Sequence, residues 1–179
     1  MKQRLSVATV MLGGVLCLSG SARQIEAQVP PIANVPGYNP VIYGLPVSCN
    51  DNNGMPVRFI FANVNDIAKS GMDQLGPLMA FSPAAQNASP PLLIFFYAHE
   101  CMHHALGHIS MTYVQHIAPP PTLEVDADCA AAKLVRNQNL LTLQQIQMVA
   151  STLVNNPPMG PYPAGPNRAQ NIVDCYMAP

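Results

Sequence analysis

Charge is scarce in this sequence. Only 9% of its residues are Asp, Glu, Lys or Arg, with 8 basic against 9 acidic and a formal net charge of -1. The Lys and Arg are scattered singly, so the chain lacks the basic stripe by which proteins hold nucleic acid. It has no acidic tail and no polybasic patch either. No internal repeat is present, which excludes a solenoid or propeller. Beyond the first residues, no apolar segment approaches the roughly 20 residues needed to cross a bilayer. What remains is a chain of 179 residues, 49% of them hydrophobic and 19 of them Pro. That is a one-domain length with enough apolar material for a core.

The N-terminus reads as a targeting segment. Lys2 and Arg4 form a positive head, Leu5 to Leu18 an apolar run, and Ser19-Gly20-Ser21-Ala22 a small-residue stretch, with a further small residue at Ala27. This is the pattern of a secretory signal peptide over 1–27, cut after Ala22 or Ala27. As a membrane anchor the apolar run is short. As a lipoprotein signal it fails at Leu16, which is bulky before Cys17. The expected location is therefore exported, periplasmic or secreted, with no stable membrane span once the signal is removed. Cleavage leaves Cys49, Cys101, Cys129 and Cys175. An even number of cysteines in an oxidising compartment implies two disulfides, and four cysteines allow three pairings.

Residues 28–53 are rich in Pro, Gly and Asn and predict an extended lead-in, with a short strand near Val41 to Tyr43. Residues 54–179 read as one domain. Pro56 to Ala62 is β-branched and aromatic, hence a strand. Asn65 or Asp66 is placed to cap a short helix through Leu75, stopped by Gly76-Pro77. Leu78 to Phe81 follows as a strand and Ser82 to Ser89 as a polar loop. Ser89 and Pro90 then open a strongly apolar helix running to about Ile109. Met111 to Pro121 is a connection. Thr122 caps a helix to about Asn137, and Thr142 with Gln145 forms a capping-box pattern for another, to about Asn155. A Pro/Gly loop over 157–166 precedes a last helix to about Met177. The fold class is mainly helical α+β, with a small N-terminal sheet beside the helices.

The chemistry is concentrated at positions 99 to 103, His-Glu-Cys-Met-His. On a helix, residues four apart lie one turn apart on nearly the same face, so His99 and His103 can share one small cation. Glu100 sits beside that face, within reach of a water on the metal without being a ligand. Zinc accepts nitrogen and carboxylate donors, and a catalytic site takes three protein ligands plus water. The third donor is sought in Glu124-Val125-Asp126-Ala127-Asp128. Glu124 can bind the ion while Asp128, four residues on, accepts the outer N–H of a ligand imidazole. A resemblance to the metzincin pattern would imply a third His six residues after His103, and that position is Ile109, so the metzincin reading fails.

Together HExxH at 99–103 and ExxAD at 124–128 resemble the gluzincin zinc metallopeptidases, in particular the small single-domain members. The resemblance spans about Leu92 to Arg136 only. It implies one Zn2+ held by His99, His103 and Glu124, with Asp128 behind the ligands. It further implies hydrolysis of a peptide or protein substrate by a zinc-activated water, with Glu100 as general base. The family's zincin-like fold implies a small sheet beside the metal helices whose edge strand pairs an extended peptide, a role for which Leu78 to Phe81 is the candidate.

The other candidates are weaker. His104 and His108 point off the ligand face and are expected to be packing or hydrogen-bonding groups. Tyr113 or His116, in the connection, is a candidate oxyanion stabiliser. Cys101 and Cys129 each turn away from the metal side. A Cys101–Cys129 bridge behind the zinc, with Cys49–Cys175 tying the two ends, is the expected pairing, against a free buried Cys101. No Ser or Cys is placed as a nucleophile. The competing functions are a non-catalytic zinc-binding module and a disulfide-stapled exported interaction protein.

Overall fold

The apolar helix through the middle of the chain organises everything else. The structure, a computed structural model, describes residues 32–33, 37–115, 120–157 and 163–179. Six short strands precede five α-helices: β1 (Ile32–Ala33), β2 (Val41–Ile42), β3 (Leu45–Pro46), β4 (Arg58–Phe61), β5 (Ala68–Asp73), β6 (Gly76–Phe81), then α1 (Pro90–Ala105), α2 (His108–Gln115), α3 (Pro121–Asn137), α4 (Leu143–Leu153) and α5 (Gly165–Met177). The fold is mainly helical α+β, as the sequence predicts. The signal-peptide segment 1–27 and His116 lie outside the described residues.

Helix α1 starts with Pro90 after Ser89, which suits a first turn where the missing N–H of Pro costs nothing. Leu93 to Cys101 is buried without interruption, so α1 is a core helix rather than an amphipathic one. The other helices pack around it: α1 against α3 and α4, and α3 and α4 against α5. Helix α3 buries Leu123, Glu124, Ala127, Asp128, Ala131, Ala132 and Val135, a helical stripe whose small residues allow close approach. Helix α4 carries the capping box on Thr142 and Gln145 as read from the sequence. The expected Thr122 cap falls inside the first turn of α3, whose N-cap is Pro120.

One three-stranded sheet has the order β4-β6-β5, with β4 parallel and β5 antiparallel to β6. The segment expected to be a helix through Leu75 is instead β5 and the turn of the β5–β6 hairpin. The turn decides it. Asp73 pairs with Gly76, its carboxylate accepts the Leu75 N–H at 2.8 Å, and Gly76 takes φ +109, which only glycine adopts freely. Gly76, read as a helix stop, closes a hairpin. Strand β6, which contains Leu78 to Phe81, is paired on both sides, so it is not an edge; β4 and β5 are the two edges, and β5 packs against α1.

A second small sheet, β1-β2-β3, comes from the lead-in. Ile42 and Cys49 belong to the same core as Phe59, Phe81 and Phe95. Gly37 bridges Phe59, and Asn50 bridges Pro56. Packing is thus continuous across the boundary drawn at 53. The disulfides differ from the expected pairing. They join Cys49 to Cys101 and Cys129 to Cys175. Cys101 and Cys129 do turn away from the metal side, but that also turns each away from the other helix: Cys101 meets the lead-in and Cys129 meets α5.

Helix α5 begins hard against the end of α4. The Gly165 N–H donates to Asn156 O at 3.0 Å. A Cβ at Gly165 would lie 2.0 Å from Leu153 O and 2.7 Å from Val154 O, both backbone atoms. Gly165→Ala is therefore expected to lower the urea unfolding free energy by about 1–3 kcal/mol, the usual cost of overpacking. Gly71→Ala is the control: its Cβ meets nothing nearer than 3.9 Å, and urea melts should place it within about 0.5 kcal/mol of wild type.

Candidate metal centre

His99 and His103 project from α1 toward Glu124 on α3. Their Nε2 atoms are 3.1 Å apart. Glu124 Oε2 lies 3.3 Å from His99 Nε2, and Oε1 lies 3.6 Å from His103 Nε2. One donor atom from each residue falls within a 4.8 Å group, and all three residues are buried. This is a cluster that could hold a metal ion. Glu124 Oε2 has no hydrogen-bond donor among the described residues, although it is buried. Its contact is the His99 Nε2 ion pair at 3.3 Å, and a buried carboxylate oxygen without an aligned donor is costly unless a cation satisfies it. The donor set therefore fits a small cation bound through two Nε2 atoms and a carboxylate.

Behind the cluster, Asp128 Oδ1 is 2.8 Å from His99 Nδ1. The contact is not an aligned hydrogen bond, and no other group among the described residues bonds that nitrogen. At this distance a fully buried carboxylate and an imidazole nitrogen make a charge-assisted contact. Arg168 of α5 grips the same carboxylate with two bonds, Nε to Oδ2 at 2.6 Å and Nη2 to Oδ1 at 2.9 Å. Burial alone would disfavour the charged form of His99, but Asp128, Glu124 and Glu100 outweigh it and push His99 up to about 10. Burial likewise works against ionised Glu124, yet His103 and His99 hold it well below the usual carboxylate range. Asp128 is held low against its burial by His99 and Arg168.

Glu100 is also buried. Its Oε2 accepts from Ser70 Oγ of β5 at 2.7 Å, and the same hydroxyl lies 2.8 Å from the Glu100 carbonyl oxygen. A cleft of about 360 Å³ opens beside it, lined by His99, Glu100 and Arg168 with Leu92, Phe96 and Leu153 among its apolar residues. His104 Nε2 bonds Leu78 O at 3.0 Å, and His108 Nδ1 lies 3.2 Å from His103 Nδ1. Burial depresses both His104 and His108. Neither lies in the metal cluster. Tyr113 sits on α2, 53% exposed, and does not line the cleft.

His99, Glu100, His103, Glu124 and Asp128 are thus brought together. Arg168 and Ser70 were not foreseen. No spacing rule links position 168 to 128, and Ser70 fell in a segment read as helix. The expectation that α1 runs to about Ile109 is corrected too: it breaks at Leu106–Gly107, and α2 occupies part of the expected connection. No family model matches this chain, and neither any curated protein sequence nor any solved structure does.

Two outcomes follow for the protein stripped of metal. Arg168→Leu would strand the Asp128 carboxylate in the interior and should lower the urea unfolding free energy by about 3–5 kcal/mol. The raised His99 makes a contribution to stability that is complete below its ordinary value of 6.5 and is lost as pH rises through about 10. Urea midpoints should therefore fall between about pH 6.5 and pH 10 in chelator, and Asp128→Asn should flatten that slope. An unchanged slope in Asp128→Asn would assign the pH dependence elsewhere.

Proposed function

We propose that this chain is an exported zinc metallopeptidase of gluzincin type. The observation that carries the reading is Glu124. A separate helix brings its carboxylate to 3.3 and 3.6 Å from the two imidazole nitrogens, supplying the third donor that HExxH lacks. The spacing also supports zinc as the ion. Nitrogens bound at about 2.0–2.1 Å in a tetrahedral shell stand about 3.3 Å apart, close to the 3.1 Å between the Nε2 atoms. Export is supported by the signal-like segment at 1–27 and by the two disulfides. No helix among the described residues is long and apolar enough to cross a membrane.

His99, His103 and Glu124 would hold the ion. Bound zinc would polarise the scissile carbonyl and make a nearby water more acidic. Glu100 takes the proton from that water and returns it to the leaving amine nitrogen. Ser70 fixes the Glu100 carboxylate through Oε2, so the base is already oriented before substrate arrives. Asp128 holds the Nδ1 side of His99, which would leave Nε2 free to bind the ion. Leu92, Phe96 and Leu153 give the cleft an apolar wall where a substrate side chain can exclude water.

The test is zinc content together with cleavage of a peptide library by the mature protein. Wild type should bind one zinc, cleave, lose activity in chelator and regain it with zinc. Glu100→Gln should keep its zinc and lose about 10²–10⁴-fold in turnover, the usual share of a general base. Full activity in Glu100→Gln would remove the assigned base. A zinc-loaded wild type that cleaves nothing would leave a non-catalytic zinc module.

A further inference from the structure

The two imidazoles of the cluster are supported differently. His99 has Asp128 at its outer nitrogen. His103 faces His99 and Glu124 with Nε2, so its outer nitrogen is Nδ1, and that atom lies 3.2 Å from Nδ1 of His108. Both rings are buried, 5.2 Å apart between centroids. Residues five apart on a continuous helix are turned about 140° from each other and separated by about 7.5 Å along the axis, so they do not meet this way.

The break between α1 and α2 makes the contact. Gly107 takes φ +77, the left-handed conformation common just past a helix end. A Cβ there would come within 2.9 Å of the Asn52 side chain. The Asn52 N–H donates to His104 O at 3.1 Å and satisfies one of the freed carbonyls. The chain then restarts as α2 at His108 itself. The lead-in loop and a left-handed glycine together set His108 against His103.

We propose that His108 is a positioning residue for the metal ligand His103, accepting its Nδ1–H. The inference rests on the metal-site reading above. A ligand imidazole bound through Nε2 carries its proton on Nδ1, and only one proton fits between two facing Nδ1 atoms. His108 therefore stands as the neutral tautomer protonated at Nε2, with a bare Nδ1. Its role matches that of Asp128 for His99, without a second negative charge behind the ion.

The experiment compares wild type, His108→Leu and His108→Asn. Zinc affinity is read by competition with a chromophoric chelator, and the imidazole tautomers of the zinc-loaded wild type by long-range 1H–15N correlation. His108→Leu removes the acceptor and should weaken zinc about 10–100-fold. His108→Asn keeps an amide oxygen and should recover most of that loss. In wild type, His108 should be protonated at Nε2 and His103 at Nδ1. A His108→Leu protein that binds zinc like wild type, or a wild-type His108 protonated at Nδ1, overturns the proposal. If His108→Leu does not fold, the tautomer in wild type still decides. A wild type that binds no zinc overturns the metal reading itself and this role with it; zinc bound equally by wild type and His108→Leu overturns the role alone.

Discussion

Asp128 is the residue on which the arrangement depends. It is fully buried and carries a charge, and a charge in that position is tolerated only when it is paired on every side. Its partners come from two other helices: His99 from α1 and Arg168 from α5. One carboxylate on α3 therefore sets the register of three helices at once. A shift of any of them by one residue would leave an unpaired ion in the core. The small residues around it, Ala127, Ala131 and Ala132, let α3 approach closely enough for these short contacts. The candidate metal cluster lies one turn away on the same helix, at Glu124, so the constraint that holds the helices also aims its donor atoms.

The disulfides act on the same parts from outside. Cys101 lies between His99 and His103 in sequence, and Cys129 directly follows Asp128. Each is bridged away from the site, Cys101 to the lead-in and Cys129 to α5. Helices α1 and α3 are thus each anchored to a third element and not stapled to one another. What joins them directly is packing and the site itself. A bridge across them would have fixed their separation covalently; the observed pairing leaves the His99–Glu124 distance to side chains and, in the proposed function, to the ion. Cross-links of this span stabilise mainly by restricting the unfolded chain, so placing them on either flank supports the site without dictating its dimensions.

The helical half of the fold was legible because its signals are local. Ser89-Pro90 marks a helix start, and Thr142 with Gln145 forms the box the structure contains. His99, Glu100 and His103 follow from helix periodicity alone. Position 124 needed a motif, because nothing local says which carboxylate turns back toward α1. The misread segment at 65–75 shows the limit: Asp66 looks like a cap and Gly76 like a stop, but a hairpin turn uses the same residue types. The disulfide pairing and Arg168 were not legible, since both depend on which helix faces pack, and α5 is set on α3 and α4 by contacts far apart in sequence. His108 was read as a hydrogen-bonding residue, which it is, but its partner depended on a helix break that Gly107 makes and an unbroken apolar pattern conceals.

The scarcity of charge noted at the outset gives the cluster its meaning. The whole chain has 9 acidic residues. Asp51, Glu100, Glu124 and Asp128 are buried, and the last three of these gather around His99. Three carboxylates in one interior repel one another and lose hydration, while only Arg168 among the Lys and Arg described is buried with them. Apolar residues of similar volume would pack there at least as stably, since buried ion networks are weak contributors to stability. A chain that otherwise avoids charge, yet concentrates it inside around two imidazoles, could hold a counter-cation at that spot. Buried ionisable groups with strongly shifted values, beside a cleft, are where functional sites are found. The desolvated groups beside this cleft are His99, Glu100, Glu124 and Asp128, whatever family the chain resembles.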